Sequence, residues 1–94
     1  MDLAVLPLTE DQLAERVGLP LIHGIEDGLG RWGGIGGRLP SGADVEFVCY
    51  AHIPTSVIVR VDKQAHHATA FAEALELVGL SRSDLKHVSP LVDG

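Results

Sequence analysis

Leu39-Pro40-Ser41-Gly42-Ala43-Asp44-Val45-Glu46-Phe47-Val48-Cys49-Tyr50-Ala51 is the stretch on which the fold turns. Pro40 presets a turn dihedral and Gly42 accepts a positive φ. Val45, Phe47, Cys49 and Ala51 then alternate strictly, as they do in a strand with one buried face. This is a hairpin signal, and it places a strand near 43–51. Downstream, His52-Ile53-Pro54-Thr55-Ser56 breaks the pattern. Val57, Val59 and Val61 then alternate with Ile58, Arg60 and Asp62, which predicts a β-branched strand near 56–62. Upstream, His23 to Gly42 contains eight of the eleven glycines. That density excludes a stable helix and weakens a strand, so the reading is a loop followed by a glycine-interrupted strand near 31–39. Together these give a three-stranded antiparallel meander.

Helices are expected on either side of the meander. Thr9 and Gln12 have capping-box spacing, Glu10 and Asp11 suit a helix N-terminus, and Gly18 with Pro20 gives a stop, so the N-terminal helix spans 10–17. Ala68, Phe71, Leu75 and Val78 repeat at helical spacing between Lys63 and Val78, ahead of Gly79. Phe71 should face Val45, Phe47 and Val59. Ser81-Arg82-Ser83-Asp84 repeats a capping pattern and predicts one more turn through His87, ended by Pro90. The tail from Val88 to Gly94 should fray unless it is tied down, and Leu91 and Val92 are the residues that could anchor it. The fold class read from these elements is α+β: a three-stranded antiparallel meander packed with an N-terminal and a C-terminal helix, in a single domain over 1–94.

Composition narrows the function classes. Apolar residues make up 46% of the 94-residue chain, enough for one modest core. No apolar run approaches the roughly 20 residues that span a bilayer, and Met1 to Pro7 lacks the basic region of a secretory signal; with the single Cys49, these features lead us to expect a cytoplasmic protein. The formal charge is −6, and it is concentrated. Residues 1–30 hold Asp2, Glu10, Asp11, Glu15, Glu26 and Asp27 against Arg16 alone. Such a charge disfavours nucleic acid as a partner and favours a basic protein.

Motifs that would carry chemistry lack their context. Gly28-Leu29-Gly30-Arg31-Trp32-Gly33 has the spacing of a dinucleotide fingerprint. It is followed by Gly34-Ile35-Gly36-Gly37 rather than by the helix that receives a pyrophosphate. His66 and His67 are adjacent, so on a helix they diverge by about 100° and do not form the i, i+4 pair that grips a metal. Cys49 shares a strand face with Val45 and Phe47, where a thiol is a small hydrophobe. Neither metal nor cofactor is expected, and no catalytic residue is named.

A binding surface is the stronger expectation. Trp32 and Arg38 share one face of the first strand. Val48, Tyr50 and Ile58 lie opposite the core-facing residues of the other two, giving a face too apolar to leave in water. The N-terminal helix covers it, or another chain does. Glu26 and Asp27 in the glycine-rich loop, and Asp11 and Glu15 one helical turn apart, are the acids that would attract a basic partner. The candidate partner-binding residues are therefore Asp11, Glu15, Glu26, Asp27, Trp32 and Tyr50.

In size, acidity and element order the chain resembles the small immunity proteins encoded beside bacterial toxins. The resemblance implies a protein-binding domain that neutralises a toxin by covering its active site. Two alternatives belong to other classes. One is a small enzyme or ligand-binding domain using His and acid side chains around the glycine-rich loop. The other is a structural homodimer paired through the exposed sheet face or an edge strand.

Overall fold

The computed structural model describes residues 1–93. The chain runs β1 (Asp2–Leu6), α1 (Glu10–Val17), β2 (Ile22–Glu26), β3 (Gly30–Arg38), β4 (Asp44–Tyr50), β5 (Val57–Val61), α2 (His67–Val78) and β6 (His87–Val88). Short 3-10 turns at Arg82–Asp84 and Pro90–Val92 flank β6. The strands form one sheet in the order β2-β3-β4-β5-β1-β6, with every neighbouring pair antiparallel.

This corrects the expected architecture. The meander exists as β3, β4 and β5, but it is the middle of a six-stranded sheet, and the sheet rather than the helices dominates the fold. Three strands were unforeseen. β1 pairs with β5 across more than fifty residues of chain, and a register shift between Asp2 and Ala4 breaks its alternation. That irregularity buries both Leu3 and Ala4, so the strand reads in sequence as a featureless apolar run. β2 occupies a segment assigned to loop, and its glycine is tolerated because β3 pairs with it along its whole length. The expected turn after Ser81 forms over Arg82–Asp84 with its Ser81–Asp84 capping box but stops there, and the two-residue β6 takes His87 instead.

Local chemistry explains the helices. Thr9 Oγ1 accepts the Gln12 amide at 3.2 Å, and Gln12 Oε1 accepts the Thr9 amide at 3.0 Å, so two orphan donors are satisfied reciprocally. α1 stops at Gly18, whose amide reaches the Ala14 carbonyl. α2 begins four residues later than the apolar spacing allows, because His66 is its N-cap. His66 Nδ1 accepts the Thr69 amide at 3.3 Å.

Both helices pack on one face of the sheet. Leu13 from α1 and Ala70, Phe71, Ala74, Leu75 and Val78 from α2 share a core cluster with Leu3, Leu6, Ile35, Val45, Phe47, Cys49, Val57, Val59 and Val61. Burying each large side chain of this kind stabilises the fold by roughly 1.5–3 kcal/mol. Arg16 ties the two helices, its Nη1 donating to the Val78 carbonyl at 2.7 Å. Val92 joins the same core from the tail, while Leu91 stays largely exposed. No helix among the described residues is long and apolar enough to cross a membrane.

Candidate functional site

Because α1 and α2 share a face, the other face of the sheet is left without a helix over it. Of the two alternatives for that face, cover by the N-terminal helix is therefore not the one the fold adopts. Cross-strand register sets what the face displays. Gly24, Trp32 and Tyr50 form one row; Ile22, Gly34, Val48, Ile58 and Val5 form the next; Gly36, Glu46, Arg60 and Asp2 form a third. Val48 is buried by its neighbours on this face although it lies outside the core cluster. Trp32, Tyr50, Ile58 and Val5 are half-buried.

Glycine shapes the centre of the face. The Trp32 indole lies across the backbone of β2, so a Cβ at Gly24 would come within 2.6 Å of the indole Cζ2, and one at Gly34 within 3.5 Å of Cζ3. The two glycines are the seat on which the ring lies flat. Tyr50 stands beside it, with its ring centroid 5.7 Å from that of His52. The third row is ionic. Arg60 Nε donates to Asp2 Oδ1 at 2.7 Å, and Arg60 Nη1 is 3.8 Å from Glu46 Oε1. The hydrogen bond to Asp2 raises the Arg60 pKa above its ordinary value, with the Tyr50 phenol adding to the effect.

The six sequence-derived candidates divide into two groups. Trp32 and Tyr50 are directly opposite one another on β3 and β4, and Glu26, at the end of β2, projects from the same side. Asp27 is in the adjoining turn. Asp11 and Glu15 are exposed on α1, across the sheet from Trp32. Asp11 nevertheless reaches the end of the sheet, where it lines a shallow depression of about 220 Å³ with Thr9, Glu10, Tyr50, Ala51 and Pro54. Glu15 lies a turn further on, beside Gln12 and Arg16. Asp11 and Glu26 thus border the aromatic pair from different ends, while Glu15 is separate from it.

Sequence reading missed the Asp2–Arg60–Glu46 row, because β1 was not recognised as a strand. It also missed the pair formed by Glu10 and His23, whose Oε1 and Nε2 are 3.0 Å apart. That pair lies over Gly33, where a Cβ would collide with the Glu10 carboxylate. Gly33 is in register with Cys49. Burial pushes the Cys49 thiol up to about 11, and the Glu10 charge adds to the shift. A thiol that is 1% exposed and held protonated is not a nucleophile at neutral pH.

His66 and His67 are not a helical pair, because only His67 belongs to α2 and the backbone of His66 is extended. His66 is used in capping, while His67 Nε2 is buried without a hydrogen-bond partner. Among the described residues no group of three or more His, Cys, Asp or Glu side chains could hold a metal ion. An open depression of about 700 Å³ is lined by Ser41, Asp62, Lys63, Gln64 and His66 and by none of the six candidates. Compared with known proteins, the chain matches no family model, no curated protein and no solved structure.

Proposed function

We propose that this chain is a protein-binding domain that docks through the sheet face carrying Trp32 and Tyr50, and that it acts as an inhibitor of the immunity type. The observation that carries the reading is the placement of both helices on one side. It leaves an aromatic pair on a rigid sheet, with Val5, Val48 and Ile58 beside it and charged groups at its margins. Aromatic anchors within a polar rim are the usual anatomy of a protein interface, and Tyr and Trp are enriched among the residues that dominate its energy. Glu26 and Asp27 stand at the end of the same face, where negative charge would draw in a basic partner.

The test is capture from the source cell with the purified chain as bait. A specific partner should be retained by the unmodified protein, lost with Tyr50→Ala, and kept by a variant with Glu15→Lys on the opposite side. The inhibitor reading adds that the captured protein is basic and loses its own activity when bound. Retention of the same partner by both Tyr50→Ala and Trp32→Ala would remove this face as the docking surface.

A further inference from the structure

The two edges of the sheet are built differently. β6 is a two-residue edge, preceded by Lys86 and followed by Pro90 and a 3-10 turn, which are the usual devices that stop a sheet from extending. β2 has only Pro20, two residues before Ile22, as a counterpart. It is five residues long, contains neither lysine nor proline, and pairs with β3 without a register shift. Ile22 projects to the helix-free face and is 71% exposed. Ile25 projects to the opposite face and is 78% exposed. Leu19 and Leu29 on either side of the strand are also exposed. β2 thus exposes one large apolar side chain on each face at an unpaired edge, beside the polar His23 and Glu26.

We propose that β2 is the seam of a homodimer, pairing antiparallel with β2 of a second copy about a two-fold axis at His23. The strand is complementary to itself in this register. Ile22 comes opposite the partner's Gly24, where the partner's indole lies over the glycine backbone, and the same contact recurs by symmetry. On the other face, Ile25 comes opposite the partner's Leu21. Each exposed isoleucine thus meets an apolar surface of the other copy, and the unpaired backbone groups of both edges are satisfied. Charge agrees with the arrangement. Antiparallel pairing sends the two Glu26-Asp27 turns to opposite ends of the seam, about 20 Å apart at roughly 3.3 Å per residue. That is beyond the screening length of about 8 Å, so these turns do not oppose the contact, while the Glu10 carboxylates nearer the axis are each paired with their own His23. The product is one continuous sheet in which both helix-free faces lie on the same side.

The experiment is mass measurement in solution by sedimentation, with covalent trapping as a second readout. The unmodified chain should have twice the 10.0-kDa chain mass. Ile22→Lys combined with Ile25→Lys should halve the measured mass, with circular dichroism unchanged because both positions are exposed. In the proposed register His23 faces its own copy, and facing residues have Cα atoms about 4.5–5.5 Å apart, within disulfide range. His23→Cys should therefore cross-link across the seam, whereas Ile25→Cys should not, since the two copies of that position lie about 13 Å apart along the strands. A monomer at every concentration would overturn the proposal and leave the edge to a foreign strand. A dimer that survives both lysine substitutions, or one trapped through Ile25→Cys and not His23→Cys, would overturn it as well. A monomer that still loses its partner with Tyr50→Ala would leave the docking surface standing, so the two ideas fail separately.

Discussion

Gly24 and Trp32 depend on each other. The indole can lie flat only because the strand beside it has no side chain at that point. Adding one methyl group at Gly24 places it within 2.6 Å of the ring. Overpacking of this kind costs about 1–3 kcal/mol when the neighbours cannot yield. Trp32 is the one tryptophan of the chain, so its fluorescence reports on the change directly. Gly24→Ala should lower the denaturation midpoint and shift the emission to the red as the indole is pushed into water. An unchanged spectrum would mean that the ring does not rest on Gly24. Cys49 offers a second residue-level test. Its thiol rises from an ordinary 9.0 to about 11 in the folded chain, so the unfolded chain loses its proton first as pH climbs. This contribution to stability is fully present below pH 9.0 and is lost as the pH rises towards about 11. Cys49→Ala should flatten that part of the stability profile, and native protein should resist thiol reagents at neutral pH until it unfolds.

α1 was legible in the sequence to the residue, because Thr9, Gln12 and Gly18 fix its ends through contacts within a few positions. α2 was legible in Phe71, Leu75 and Val78, but Ala68 is exposed while Ala70 and Ala74 are buried, and its start was missed because a histidine is not one of the usual capping residues. Phe71 is 7% exposed and belongs to the core cluster. Phe71→Ala should cost about 3–5 kcal/mol from lost transfer energy and the cavity left behind. Thr9→Ala should cost about 1 kcal/mol, within the range for removing a cap. Both are read from urea unfolding. A Phe71→Ala loss no larger than that of Thr9→Ala would show that α2 does not contribute the central packing assigned to it. β3, β4 and β5 were found where alternation places them. β2 was not, because His23-Gly24-Ile25 carries little strand propensity of its own and depends on β3 for its hydrogen bonds.

For the whole molecule, the charge of −6 must be read with its geometry. Glu26 and Asp27 sit at the end of the helix-free face, while Asp11 and Glu15 lie on the helical side. Long-range attraction speeds encounter with a basic partner from either position, but only charges at the docking face also set its orientation. Reversing all four to lysine should slow association with the captured partner and change thermal stability little, since the four residues are exposed. Reversing Glu26 and Asp27 alone should account for most of the slowing. Added salt should slow the unmodified protein in the same direction, because screening shortens to about 3 Å at 1 M. An association rate insensitive to both charge and salt would remove electrostatic recruitment from the account and leave Trp32 and Tyr50 as the attachment.

The sequence by itself determined the features that depend on near neighbours or on strict period: the ends of α1, the large apolar residues of α2, the central hairpin, and the sharing of one sheet face by Trp32 and Tyr50. A residue's side of a strand follows from parity, and a cap follows from spacing, so neither needs the rest of the chain. Only the tertiary structure decided how many strands the sheet holds, which of them form its edges, and that both helices pack together on one side. β1 and β6 are strands because residues far along the chain pair with them. The irregular register at Leu3 removes the alternation that would have announced β1. The exposure of Ile22 and Ile25 belongs to the same class. Their apolar character is written in the sequence, but their position at an unprotected edge follows from the strand order, which no local pattern encodes.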